Sequence, residues 1–150
     1  MHSPADMHNG HRMVTAPTRQ PIAIALHCTW GVLQTLVGLA LLIGLLPVVR
    51  RIGRHRSTVV IRTKGRWGVS LGFFIFLGEG HDRTAVSHEY GHSIQSLLLG
   101  PLYLPLVGVP SFIRATLWLL FRKPEATYYR GYPERWADRL GTVDRKLGSS

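Results

Sequence analysis

The sequence predicts an α+β membrane protein: one N-terminal transmembrane helix, a β-hairpin, and a small helical metal site that includes a hydrophobic re-entrant or interfacial segment. Three observations predict it. The uncharged run WGVLQTLVGLALLIGLLPVV, Trp30 to Val49, has the roughly 20 apolar residues that one helix needs to cross about 30 Å of hydrocarbon. The β-branched stretch Thr58 to Thr63, followed by Lys64-Gly65 and an apolar run from Trp67 to Leu77, has the composition of two strands joined by a turn. His88-Glu89-Tyr90-Gly91-His92 spaces two histidines four residues apart on one helical face, with a carboxylate beside them.

In chain order, residues 1–20 form an N-terminal arm and 21–49 the anchor. Apolar character reaches back to Ile22, with Pro21 and His27 blurring its start. The segment reads as a retained anchor more than a signal peptide, because Leu46-Pro47-Val48-Val49 and then arginines stand where a small-residue cleavage site belongs. Residues 50–66 are a basic juxtamembrane linker and first strand. Arg50, Arg51, Arg54, Arg56, Arg62, Lys64 and Arg66 crowd behind the apolar run, and no acidic residue lies between Asp6 and Glu79. This asymmetry follows the positive-inside rule and sets the basic segment against anionic headgroups on the cytoplasmic side. The formal charge of +10 alone would also suit nucleic acid, but no nucleic-acid motif accompanies it. A single cysteine, Cys28, excludes an internal disulfide and a cysteine-ligated zinc finger.

Residues 67–150 carry the site. The run Ser70 to Leu77 is too continuously apolar for a half-exposed strand and is expected under helices or lipid. Asp82 or Thr84 caps a helix running from Arg83 to Leu99, and Gly100-Pro101 stops it. Ala85, Val86, Ile94, Leu97 and Leu98 are expected to pack inward, and Gly91 signals close approach by another backbone. From Leu97 to Phe121 the chain is again apolar, but Pro101, Pro105, Pro110 and Arg114 divide it. A re-entrant or surface-lying segment with a short helix from Pro110 is therefore expected, with a kinked second span as the alternative. A short helix opening at Pro133 and closed by Gly141 then carries Glu134 and Asp138, with Tyr128, Tyr129 and Tyr132 nearby as donors to an oxyanion.

Glu134-Arg135-Trp136-Ala137-Asp138 is an E-x-x-x-D on one helical face. Taken alone it reads as surface ion pairs. Together with His88-Glu89-x-x-His92 it resembles the gluzincin class of zinc metallopeptidases. The resemblance implies Zn²⁺ held by His88, His92 and Glu134, Glu89 as the catalytic base, Asp138 supporting a histidine, and a strand edge along which extended substrate pairs. Residues 68 to 141, including HEYGHSIQS, LGPLYLPLVGVPS and ERWADRLG, also look like a group of small bacterial membrane proteins. The expected activity is peptide-bond hydrolysis by a membrane-anchored, zincin-like enzyme of the bacterial inner membrane, with its site cytoplasmic or close to the bilayer. Expected partners are anionic lipids and a peptide or protein substrate, with a second copy completing the cleft as an open case and nucleic acid not expected. A structural metal site, or a metal-free interaction module, is the competing expectation.

Overall fold

The computed structural model describes residues 20–121 and 129–143. The N-terminal arm up to residue 19, Tyr128 and the polar stretch Arg122 to Glu125 lie outside them. Helices α1 (Gln20–Cys28) and α2 (Val32–Leu45) lead through a short 3₁₀ turn into strands β1 (Val49–His55), β2 (Thr58–Thr63), β3 (Gly68–Leu71) and β4 (Phe74–Gly78). Helix α3 (Arg83–Leu99), a 3₁₀ turn, a π-helical turn (Leu104–Gly108), α4 (Val109–Phe121) and α5 (Glu134–Leu140) complete the described chain.

The expected hairpin between the two strand-forming runs is replaced by a four-stranded sheet of order β1-β2-β4-β3. The basic linker is itself a strand: β1 pairs antiparallel with β2 across a two-residue turn in which Arg56 has φ 53°. The long apolar run folds on itself at Gly72, φ +60°, so that β3 and β4 form their own hairpin and β4 returns parallel to β2. Glycine is required at this turn for its dihedral and because a Cβ would collide with Thr35 of α2. The apolarity of the run then has its explanation. Central strand β4 buries Ile75, Phe76 and Leu77, with Ile75 and Leu77 packed on Val60 of β2 and Val86 of α3.

The stretch expected as the anchor, 21–49, is bent. Helix α1 and the stretch Val32–Val48 meet at 84°. Polar residues inside the apolar run account for the bend. His27 and Gln34 are completely buried, His27 beside the Ser93 hydroxyl and Gln34 donating to the Gly100 carbonyl. A straight helix in lipid would strand both, whereas the bend sets His27 against the middle of α3 and Gln34 against its C-terminal cap.

Among the described residues, the one helical stretch long and apolar enough to cross a membrane is instead Leu104–Phe121, with mean hydropathy 1.6. The bent pair adds a second only if it counts as one broken span. The prolines do not end this helix, because a π-helical turn directly ahead of Pro110 opens the backbone where its ring would crowd a carbonyl. Its side chains are conspicuously unburied: Phe112 is 73% exposed and Leu119 71%, and Leu36 and Ile43 of α2 are also exposed. Such an apolar surface marks a membrane or protein contact.

Helix α3 has the expected bounds. Asp82 caps it by accepting the Ala85 N–H at 3.0 Å, and Gly100, φ 54°, closes it. Val86 is buried as expected, but Leu98 is exposed and belongs to the outer apolar surface.

Candidate metal centre

Helices α3 and α5 build the centre by packing backbone to backbone. A Cβ on Gly91 would lie 1.9 Å from the Ala137 carbonyl oxygen, and one on Gly141 would lie 2.0 Å from that of Ser87. Two glycines, one on each side of the crossing, thus let a seven-residue helix lie directly on α3. Helix α5 starts at Glu134, with Pro133 at the cap position and not inside the first turn. Glu134 is consequently delivered, fully buried, onto the face of α3 that carries His88 and His92.

Three ligand atoms converge there. Glu134 Oε2 lies 3.0 Å from His88 Nε2 and 3.1 Å from His92 Nε2, and one donor atom from each residue lies within 4.8 Å of the others. A tetrahedral centre with bonds of ~2.0–2.1 Å separates its ligand atoms by about 3.3 Å, so little movement is needed to accommodate an ion.

The outer partners orient these atoms. His88 Nδ1 is 2.6 Å from Asp138 Oδ1, and His92 Nδ1 is 2.7 Å from Gln95 Oε1. Both outer atoms are acceptors, so each imidazole carries its proton on Nδ1 and turns an Nε2 lone pair toward the Glu134 carboxylate. Lone pairs facing a carboxylate in a buried site call for a cation or for protons. Without a metal the protons win: burial pulls the His88 pKa down, but its bonds to Asp138 and Glu134 raise it to about 9. Burial likewise opposes ionisation of Glu134, but the two histidines and Ser111 hold its carboxyl well below the ordinary range. The donor set, the tautomers and the spacing all fit a divalent ion that accepts nitrogen and oxygen ligands.

Glu89 is near the cluster but outside it. It is 8% exposed, and its Oε2 has no hydrogen-bond partner among the described residues. Burial raises its pKa, with His92 and His88 partly offsetting the effect. Gly68 of edge strand β3 lies against it, since a Cβ there would be 2.8 Å from Glu89 Oε1.

All five expected site residues are therefore brought together: His88, His92 and Glu134 at the centre, Asp138 behind His88, and Glu89 beside them. Of the tyrosines, Tyr129 meets the His88 ring edge-on at 5.1 Å, whereas Tyr132 donates to the Leu106 carbonyl. His81, in the loop before α3, bonds the Gly78 carbonyl at 3.3 Å and is not a ligand.

Sequence reasoning missed three contributors. Gln95 stands three residues after His92 on the same helix and also donates to the Pro133 carbonyl at 3.2 Å, joining α3 to the start of α5; its i+3 spacing was a usable signal. Ser111 of α4 donates to Glu134 Oε1 at 2.6 Å, and Tyr103, buried, donates to the Ser70 carbonyl. No local pattern points to those two, because only the path of the apolar segment over the site brings them in.

Comparison of the chain with protein-family models, curated proteins and solved structures gives no match.

Proposed function

We propose that the protein is a membrane-associated zinc metallopeptidase acting on peptide bonds in a membrane-embedded or membrane-proximal substrate. The observation that carries this reading is the division of labour among three carboxylates. Glu134 joins two histidines in a ligand set, Asp138 orients a ligand, and Glu89 stays outside the set with an unpartnered oxygen. A zinc ion held by His88, His92 and Glu134 supplies Lewis acidity toward a scissile carbonyl and lowers the pKa of a water molecule toward neutrality. Glu89 accepts the water proton and delivers it to the leaving amine. Ser111 occupies Glu134 Oε1 and so leaves Oε2 for the metal, while Asp138 and Gln95 hold the two imidazoles in register. Tyr129, edge-on to the His88 ring, is the candidate donor to a developing oxyanion.

Support for a peptide substrate comes from β3. It is an edge strand, and its Gly68 lies against Glu89, which puts a strand backbone able to pair with an extended chain next to the base. Support for a membrane setting comes from Leu104–Phe121 and the exposed apolar faces of α2 and α4. With the arginines of β1 following α2 in the chain, these faces support an anionic inner leaflet as the setting, and with it the proposal of a site on the cytoplasmic side of the bacterial inner membrane.

A structural metal staple is the second reading, favoured by the near-complete burial of the ligands. Glu89→Gln separates the two. Zinc-loaded wild type in detergent is expected to cleave members of a diverse peptide pool, read by mass spectrometry, and Glu89→Gln to bind zinc without cleaving. Absence of cleavage by zinc-loaded wild type, or equal cleavage by the variant, contradicts the peptidase reading.

A further inference from the structure

Away from the metal centre, the opposite end of the sheet holds a second site. Edge strand β1, its neighbour β2 and the first turns of α3 line an open trough of about 500 Å³, within the range of roughly 300–1,000 Å³ typical of small-ligand sites. Val60 and Val86 contribute apolar wall, and Arg51, Arg54, Arg62 and Arg83 contribute charge. No carboxylate lines it. Arg51 and Arg62 are direct cross-strand partners, and like charges directly opposite one another in an antiparallel pair are destabilising. Among the described residues none of the four arginines forms an ion pair with a carboxylate. Arg62 is nonetheless held in place, donating to the Gly78 carbonyl at 3.2 Å and the His81 carbonyl at 2.9 Å.

The space itself is created by Gly53. It alternates with Arg51 and His55 along β1, it is opposite Val60, and a Cβ built on it meets nothing within 4 Å. A strand glycine without a turn, a positive φ or a close neighbour costs stability for no packing reason. An open trough with a repelling arginine pair is a cost that a bound anion would offset.

The geometry points to a phosphate-binding site in this trough, taking the headgroup of an anionic phospholipid. The phosphate sits between Arg51 and Arg62, with Arg54 and Arg83 at the rim. The lipid source is favoured by position: Arg51 follows Val48, the end of the apolar stretch 32–48, by three residues, about 10 Å of strand. The trough thus opens close to where a bilayer contacting α2 would place its phosphates. That source rests on the membrane setting proposed above, whereas the phosphate chemistry does not. Ser87, also at the trough, precedes the ligand His88, so an occupied site would steady the helix turn that enters the metal centre.

The test uses the full chain in a neutral detergent, titrated with dihexanoyl-phosphatidylglycerol, dihexanoyl-phosphatidylcholine, glycerol 3-phosphate and inorganic phosphate, with bound ligand counted by native mass spectrometry. Saturable binding of one phosphatidylglycerol is expected, weakening with salt, with little binding of the choline lipid. Arg51→Gln and Arg83→Gln should each weaken it about five-fold, the equivalent of one basic side chain's attraction to an anionic leaflet. Gly53→Trp, a residue suited to strands, puts a large ring into the trough beside Arg51 and should abolish saturable binding without lowering the unfolding temperature. Phosphatidylglycerol binding that Gly53→Trp leaves intact overturns the site. Glycerol 3-phosphate or inorganic phosphate binding as tightly as the lipid overturns the lipid assignment. Membrane association, read separately by alkaline extraction of cell membranes, can fail without affecting these detergent measurements.

Discussion

Replacing Gly91 by alanine isolates the contact on which the metal centre depends. In an exposed helix interior this change gains about 1 kcal/mol, and it touches none of the proposed ligands. Here the new methyl would lie 1.9 Å from the Ala137 carbonyl oxygen, where ordinary contact begins at 3.4 Å, so α5 must retreat by about 1.5 Å. Overpacking of this kind costs ~1–3 kcal/mol, which makes the net stability change small or moderately unfavourable. The effect on the metal is larger. Glu134 stands one helical turn from Ala137 on the same short helix, and a shift of about 1.5 Å is most of a zinc–ligand bond of ~2.0–2.1 Å. Zinc affinity should therefore fall at least as far as on loss of an orienting partner, ~10–100-fold, while α3 remains helical. The assay is competition for zinc against a chromophoric chelator, with circular dichroism recorded on the same samples. Wild-type zinc affinity in a folded Gly91→Ala protein would refute the backbone-contact argument.

Asp138→Ala and Gln95→Ala each remove the acceptor behind one ligand histidine and should each weaken zinc by ~10–100-fold; unchanged affinity in chelator competition would show that the imidazoles are oriented by other means. Asp82→Ala removes the cap of α3 and should cost about 1 kcal/mol, measured by denaturant unfolding. The bond from the Ala85 N–H holds the Asp82 carboxyl below its ordinary value of 3.8. A depressed folded pKa means stabilisation that is present above the ordinary value and lost as pH falls through the folded one. The wild type and Asp82→Ala should therefore differ in stability at neutral pH and converge in acid. A gap that persists or widens in acid would contradict the capping role.

How much of this was legible in the sequence varies with how local the determinants are. Helix α3 was readable to the residue because Asp82, the motif and Gly100 are all local signals. Gly91 announced its close neighbour, although only the fold shows that the neighbour is Ala137. That His88, His92 and Glu134 would meet was readable because each motif has a chemical reason for its spacing. The sheet was misread because strand pairing is non-local: Lys64-Gly65 looked like the hairpin turn, while Gly72, hidden in an apolar run, was the turn that set the register. The apolar segments were only partly legible for a related reason. Hydropathy carried the run Trp30 to Val49 back toward Ile22 without a break, but the chain turns by 84° between Cys28 and Val32, with His27 and Gln34 buried on either side of the turn. In the same way Pro105 and Pro110 argued against the described helical stretch that is long and apolar enough to cross a membrane, because a π-helical turn absorbs the second proline.

The central claim is that His88, His92 and Glu134 form a zinc site, and the metal content of detergent-purified protein tests it most directly. Wild type, resupplied with zinc and freed of loosely bound metal, is expected to hold about one zinc per chain, with His88→Ala and Glu134→Ala each losing it while remaining folded. Wild type that holds no zinc under those conditions, or a Glu134→Ala protein that retains a full equivalent, would contradict the account.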